Sequence, residues 1–135
     1  LRTLDVRLER HEKNTKEVIN FLAKQKKIKE ILYPYKKNSK NYKNWKKYYT
    51  GATGLLGVVI QSKNKSSVYK FVNSLKLFGI GYSWGGFESL CVYQDIQREF
   101  HKYKDKNLHI IRFHIGLEDP KDLIRDIKKS LKYIK

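Results

Sequence analysis

The sequence predicts an α+β fold, a two-layer sandwich in which helices cover one small, mostly antiparallel sheet. Candidate elements follow one another in the order helix, strand, strand, helix, strand, strand, helix. Each candidate helix has only one apolar stripe, so each covers a single layer. The 135 residues are enough for one domain with a hydrophobic core and too few for two ordinary ones. We therefore expect a single domain over residues 1–135.

The first predicted element is a long amphipathic helix. Its inner side repeats at spacings of three and four residues, at Leu1, Leu4, Leu8, His11, Thr15, Val18 and Leu22. No Pro or Gly interrupts this pattern, and the helix is expected to end between Lys24 and Lys27. A short extended segment follows over 28–33 and stops at Pro34. Residues 35–50 have no clear period and are predicted to be a surface loop.

The middle of the chain predicts a strand, a helix and a second strand. Residues 53–60, TGLLGVVI, end in β-branched side chains, which is typical of a strand buried on both faces. Ser66 is the expected N-cap of a helix over 67–75, whose inner stripe is Val68, Phe71, Val72 and Leu75. Residues 90–93 predict the next strand, and 95–107 a polar connection that is either irregular or helical.

The end of the chain predicts a strand with two dissimilar faces and then a capped helix. Residues 109–115 alternate with a period of two. One face has Ile111, Phe113 and Ile115, and the other has Ile110, Arg112 and His114. Asp119 is the expected N-cap of the last helix and Pro120 its first residue. The core stripe of that helix is Leu123, Ile124, Ile127, Leu131 and Ile134.

The formal net charge of +17 allows two interpretations. A basic excess is the footprint of nucleic-acid binding, and residues 36–49, KKNSKNYKNWKKYY, interleave lysine with aromatic rings as a single-strand stacking surface does. However, six of the 30 basic residues are arginine, the side chain that base and phosphate recognition prefers. A solvated lysine surface is the favoured interpretation, and a nucleic-acid-binding module over 36–49 is the alternative.

Several kinds of site are not expected. No apolar run approaches the roughly 20 residues of a membrane-spanning helix, and the segment LRTLDVRLER is too charged for a signal peptide. We therefore expect a cytoplasmic protein without membrane contact. The four histidines lack metal-ligand spacing, so no metal site is predicted. Cys91, the one cysteine, lies in the apolar run SLCVY and is expected to be a buried free thiol.

Residues with candidate chemistry are concentrated in the segment GYSWGGFESL, residues 81–90, and at Arg112. An arginine in the middle of an apolar strand must reach a surface or face a carboxylate or phosphate. A structural ion pair with Glu88 or Glu118 and an anion-binding role therefore both remain open. The paired glycines of the segment likewise fit an ordinary turn or a close backbone approach to a bound molecule.

Four segments carry a resemblance to a known family, at residues 1–14, 45–60, 75–90 and 110–127. They are similar to the C-terminal domain of the cystathionine β-lyases, in the Cys/Met metabolism family of pyridoxal-phosphate-dependent enzymes. The resemblance covers essentially the whole chain. It implies the small C-terminal domain of a fold-type I pyridoxal-phosphate enzyme, with the larger N-terminal cofactor domain absent from these 135 residues.

The resemblance implies roles for four residues. Arg112 matches the arginine that binds the substrate's α-carboxylate, and Ser83 and Trp84 match positions that border this carboxylate and the cofactor's lysine. Tyr82 completes the wall, because Tyr-Ser-Trp-Gly-Gly is similar to bacterial β-lyases, whereas γ-lyases resemble Glu-Ser-Leu-Gly-Gly here. The Schiff-base lysine and the cofactor-binding residues belong to the N-terminal domain, so no catalytic or cofactor-binding residue is expected in this chain.

The implied activity is that of a carbon–sulfur lyase, which converts cystathionine into homocysteine, pyruvate and ammonia. Pyridoxal phosphate is then expected in the complete enzyme and not on this chain alone, which should be inactive. The implied partners are an amino-acid substrate, the missing cofactor domain and further copies of the enzyme, which is a tetramer in the family.

Overall fold

A computed structural model of the chain describes residues 2–95 and 105–135. Its five strands are β1 (Ile28–Leu32), β2 (Leu55–Gln61), β3 (Gly79–Ile80), β4 (Leu90–Gln94) and β5 (Leu108–His114). They form one sheet in the order β1-β2-β5-β4-β3. Within the described ranges β3 pairs in parallel with β4, and the other three pairings are antiparallel. The predicted α+β class with a mostly antiparallel sheet is confirmed.

The helices are α1 (Leu4–Leu22), α2 (Tyr42–Tyr48), α3 (Lys65–Ser74) and α4 (Pro120–Ser130), and α4 continues into a 3₁₀ turn at Leu131–Tyr133. The core lies where α1, α3 and α4 cover one face of the sheet, and it includes Val18, Phe71 and Ile127. The predicted period of β5 is confirmed, because Ile111 and Phe113 point into this core while Arg112 is half-buried on the opposite face.

The predicted stripes of α3 and α4 are confirmed, since Val68, Phe71, Val72 and Leu75 are buried and the apolar residues of α4 all contact the core. The cap of α4 is also as predicted, because the Asp119 side chain accepts from Lys121 N–H at 2.7 Å. The predicted stripe of α1 is wrong for its first turns. Leu4 is 40% exposed and Leu8 36% exposed, and burial begins at His11. Leu1 and residues 96–104 of the predicted connection lie outside the described residues.

The prediction of a loop over 35–50 is wrong, because Tyr42–Tyr48 form helix α2. Trp45 holds this helix against the chain around it. Its ring stacks on Tyr42 with centroids 5.6 Å apart, meets Tyr35 edge-on at 4.6 Å, and its indole N–H donates to Gly51 O at 3.1 Å. The helix was not predicted because none of its residues is buried, so no apolar period marks it.

Ser66 is not the N-cap of α3, which begins at Lys65. Asn64 takes that role, because its side-chain oxygen accepts from Ser66 N–H at 2.9 Å. Asn and Ser cap helices about equally well, and the sequence Asn-Lys-Ser-Ser offers both within three positions. The two-residue strand β3 was also not predicted, since two residues are too few for an alternating pattern.

Candidate functional site

The candidate site is built on β5, at the centre of the sheet. Arg112 pairs in register with Gly57 of β2 and with Val92 of β4. Paired residues of neighbouring strands share a face, so a residue without a side chain lies on one side of the arginine. The backbone of Arg112 is therefore fixed by two antiparallel neighbours, while its side chain lies on the face opposite the core.

The guanidinium of Arg112 reaches the loop over residues 81–89, called here the site loop. Nη2 donates to Gly81 O at 3.3 Å and, at the long limit of 3.5 Å, to Ser83 O. The guanidinium carbon lies 5.5 Å from the centre of the Tyr82 ring, within cation–π range. Three of the four predicted site residues, Arg112, Tyr82 and Ser83, are therefore brought together.

Of the two roles left open for Arg112, the ion pair with Glu88 or Glu118 does not form. No carboxylate of a described residue lies within 4.0 Å of the guanidinium. Glu118 accepts instead from Ser89 N–H at 2.7 Å and from the Ser89 hydroxyl at 2.8 Å, and Glu88 is exposed. Among the described residues, the guanidinium has two long carbonyl contacts and the ring of Tyr82 but no carboxylate partner, which leaves it able to bind an anion.

Trp84, the fourth predicted residue, lies on the side of the site loop that faces α1. Together with Leu8, His11 and His114 it lines a cavity of about 80 Å³. Tyr82 and Trp84 are 69% and 65% exposed, so both aromatic side chains present their surface outward. Trp84 thus faces α1, whereas Arg112 contacts Gly81, Tyr82 and Ser83 in the part of the loop that precedes it.

The site loop is anchored by residues that sequence reasoning missed. The Ser89 hydroxyl accepts from Gly116 N–H at 2.8 Å, and Leu117 N–H donates to Phe87 O at 2.9 Å. Gly116 is needed here, because an added Cβ would lie 2.3 Å from Phe87 O. Asn14 of α1 completes the anchor by donating to the carbonyls of Gly116 and Glu118. The one available signal was the segment Gly-Leu-Glu, which begins two residues after the end of β5.

The chain is similar in sequence to known proteins. The family model described as "Cys/Met metabolism PLP-dependent enzyme" matches residues 1–132. The chain belongs to this family. Among its members, the cystathionine beta-lyase of Bordetella avium is 35% identical over 97% of the chain. The L-alanine/L-glutamate racemase of Wolbachia pipientis wMel is 36% identical, also over 97%.

The fold is shared with a solved structure. The cystathionine gamma synthase of Xanthomonas oryzae pv. oryzae superposes on 98% of the chain with a TM-score of 0.85 and 22% identity, and the chain covers 36% of that structure. The chain spans about a third of the length of the relatives that it matches, 33% for both the lyase and the racemase.

No described lysine has the environment that covalent attachment of the family's cofactor needs. Covalent attachment of pyridoxal phosphate requires a desolvated lysine whose pKa is lowered. No lysine of residues 2–95 and 105–135 is buried. Where the lysine pKa is shifted it is raised, in Lys16 by the hydrogen bond to Glu12 and in Lys65 by the hydrogen bond to Tyr69.

The remaining predictions concern side chains away from the loop. Cys91 is buried, as predicted, and burial raises the pKa of its thiol. In the part of the chain that the structure describes, no three His, Cys, Asp or Glu side chains group as metal ligands. Over the same part, no helix has the length and apolarity to cross a membrane. In the segment 36–49, Trp45 is occupied by its contacts with Tyr35, Tyr42 and Gly51, which leaves Tyr48 and Tyr49 as the exposed rings of that segment.

Proposed function

We propose that the chain is the C-terminal domain of a pyridoxal-phosphate-dependent carbon–sulfur lyase of the cystathionine β-lyase type, and that it supplies the substrate's carboxylate site. Arg112 binds the α-carboxylate, and Tyr82, Ser83 and Trp84 form the adjacent wall. The observation that supports this most is the guanidinium of Arg112, which lies beside the exposed site loop with no carboxylate partner among the described residues.

The chemistry of the guanidinium suits this role. Its planar fork holds a carboxylate through two parallel charge-assisted hydrogen bonds, which are about twice as strong as neutral ones. The carbonyl contacts at 3.3 and 3.5 Å are long, so little is lost when a carboxylate replaces them. A carboxylate held in two places fixes the orientation of the neighbouring Cα–H bond, which is the bond that must be broken.

The cofactor and its lysine belong, in this proposal, to the part of the enzyme outside these 135 residues. Exposed apolar side chains support a large covering partner. They are Leu4, Val6 and Leu8 at the start of α1 and Ile80, Trp84 and Phe87 around the site loop. Burying such surface is worth about 25 cal/mol per Å², so we expect the cofactor domain to cover it. The chain alone should then be inactive.

The test is an enzyme that joins this chain to a cofactor domain of the family. We expect elimination from cystathionine to release homocysteine, pyruvate and ammonia. Replacing Arg112 by Ala should raise KM and remove about 1.5–3 kcal/mol of transition-state stabilisation. This loss lowers kcat/KM roughly 10-fold to 150-fold. The matched control is Arg125→Ala, because Arg125 is exposed on α4 and pairs only with Asp122 among the described residues. Equal kinetics of the two variants would refute the assignment.

A racemase is the second candidate, favoured by the 36% identity with the Wolbachia alanine/glutamate racemase. A carboxylate anchor serves both reactions, because each begins with removal of the α-proton. The products separate them: a lyase releases a keto acid and ammonia, whereas a racemase converts L-alanine into D-alanine and releases neither. Formation of D-alanine without pyruvate would replace the lyase proposal by the racemase.

A cytoplasmic location and a homotetramer complete the proposal. The location is supported by Cys91, which is a buried free thiol. Sedimentation of the complete enzyme tests the assembly, and a monomer or dimer would contradict it.

A further inference from the structure

His114, the last residue of β5, contacts the sharpest bend of the site loop. Its ring is 2% exposed. Gly85 N–H lies 3.1 Å from Nε2, and the same nitrogen lies 3.3 Å from Gly86 O. Gly85 has a φ of 79°, in the left-handed region that favours glycine. One ring nitrogen therefore contacts both ends of the glycine pair that directly follows Trp84.

These two contacts cannot exist together in a neutral ring. Accepting a hydrogen bond from Gly85 requires a bare Nε2, which places the proton on Nδ1. Donating to Gly86 O requires the proton on Nε2. The position of one proton thus selects which end of the bend is held. The Gly85 contact is the shorter of the two, and the Nδ1 proton that it requires is buried without a partner among the described residues.

The surroundings of the ring favour its neutral form. The charged and titratable groups that face it are His11 and Arg7 from α1, Arg112 from β5 and Glu118 from the turn after β5. The ring of His11 lies 4.9 Å away. Burial is the largest influence and lowers the pKa of His114; the hydrogen bond with Gly86 O and the charge of Glu118 act in the opposite direction, and the neighbouring His11 and Arg112 lower the pKa further.

We propose that neutral His114 is a positioning residue for the substrate wall, which accepts from Gly85 N–H and so fixes where Trp84 and Ser83 stand relative to Arg112. Uptake of a proton turns Nε2 into a donor to Gly86 O and releases Gly85 N–H. The importance of the His114–Gly85 hydrogen bond for catalysis rests on the proposed carboxylate site. The hydrogen bond itself is a property of the loop and can be tested without substrate.

The test is an NMR titration of the ¹⁵N-labelled chain. The ring nitrogens of His114 report the tautomer, and the amide of Gly85 and the indole of Trp84 report the bend. The chain has two tryptophans, and Trp45→Phe assigns their signals. We expect the Nδ1–H tautomer near neutral pH, and we expect the Gly85 and Trp84 signals to shift with the midpoint of His114, below its ordinary value of 6.5. Either of two results would overturn the proposal: an Nε2–H tautomer of His114 at neutral pH, or a Gly85 amide signal that does not shift as His114 titrates.

Variants separate positioning from general packing. His114→Gln should abolish the titration of the Trp84 indole. The control is His109→Gln at the other end of β5, because His109 is 4% exposed and contacts Ser62 O and the Tyr93 hydroxyl instead of the loop. This variant should keep the titration, and its loss there would contradict the assignment. If His114→Gln does not fold, the wild-type titration decides. An Arg112→Ala enzyme with unchanged KM would refute the proposed carboxylate site. The titration of the Gly85 and Trp84 signals would still be expected in that case.

Discussion

Side chains and backbone groups from one stretch of chain hold successive points of the site loop. Arg112 contacts Gly81 and Ser83, His114 contacts Gly85 and Gly86, and Gly116 N–H donates to Ser89. Residues two apart on a strand share a face, so β5 and the residues after it present these groups in line. The loop that bears the proposed wall is therefore placed by the same strand that bears the arginine.

Ser89 is expected to be the most sensitive small residue of this arrangement. Its hydroxyl is buried, donates to Glu118 and accepts from Gly116 N–H. Ser89→Ala leaves a buried donor and a carboxylate oxygen without their partner, which should lower the free energy of unfolding by about 1–3 kcal/mol. Urea denaturation measures this change. Ser66→Ala, at an exposed serine of α3, is the control, and equal losses in the two variants would contradict the expectation.

Sequence reasoning found Arg112 because a charge inside an apolar strand breaks a local pattern. It missed Ser89 and the roles of Glu118 and His114, which depend on contacts between positions 27 to 29 residues apart. Such contacts form only when the loop folds back over the strand. No spacing along the chain encodes that closure, so the anchor of the site could not be predicted from composition or periodicity.

Among the helices and strands, those that bury an apolar face were predicted and those that do not were missed. The alternation of β5 and the stripes of α3 and α4 follow from their contact with the core. Helix α2 and strand β3 have no buried residue. Burial of one face imposes the hydrophobic period that a sequence displays. An element held only by ring contacts or backbone pairing therefore shows no such period.

Helix α4 also fixes the chain that leads into the site loop. Asp126 is buried, and its Oδ2 accepts from the N–H groups of Lys76 and Leu77, each at 2.8 Å. Asp126→Ala should lower the free energy of unfolding by about 1.5–3 kcal/mol per lost hydrogen bond to a charged group. Hydrogen exchange at Lys76 and Leu77 should accelerate in the same variant. Asp122→Ala on the exposed side of α4 is the matched control, and unchanged exchange in Asp126→Ala would refute this role.

Over the whole molecule, the two faces of the sheet differ in what they can do. One face is sealed by α1, α3 and α4 around the core. The other carries Arg112 and borders the exposed aromatic side chains of the site loop. Most of the positive charge comes from lysines, and none of the described lysines is buried. This agrees with the solvated lysine surface favoured by the sequence.

The stability of the whole molecule should depend on pH through His114. Its folded pKa is lowered, mainly by burial, so below the ordinary value of 6.5 the unfolded chain binds the proton more readily than the folded chain. The free energy of unfolding must then fall as pH drops from neutrality towards the folded pKa. His114→Gln should flatten this dependence in urea denaturation between about pH 7 and 5.5. A slope as steep as that of the wild type would show that other groups cause it.

The central claim is that Arg112 receives an α-carboxylate. Its most direct test compares kcat/KM for a β-elimination substrate and for the analogue whose reacting end carries a neutral amide in place of that carboxylate. In the enzyme that joins this chain to its cofactor domain, the acid should be preferred by about 1.5–3 kcal/mol, and Arg112→Ala should remove most of this preference. A variant that still prefers the acid as strongly as the wild type would contradict the account.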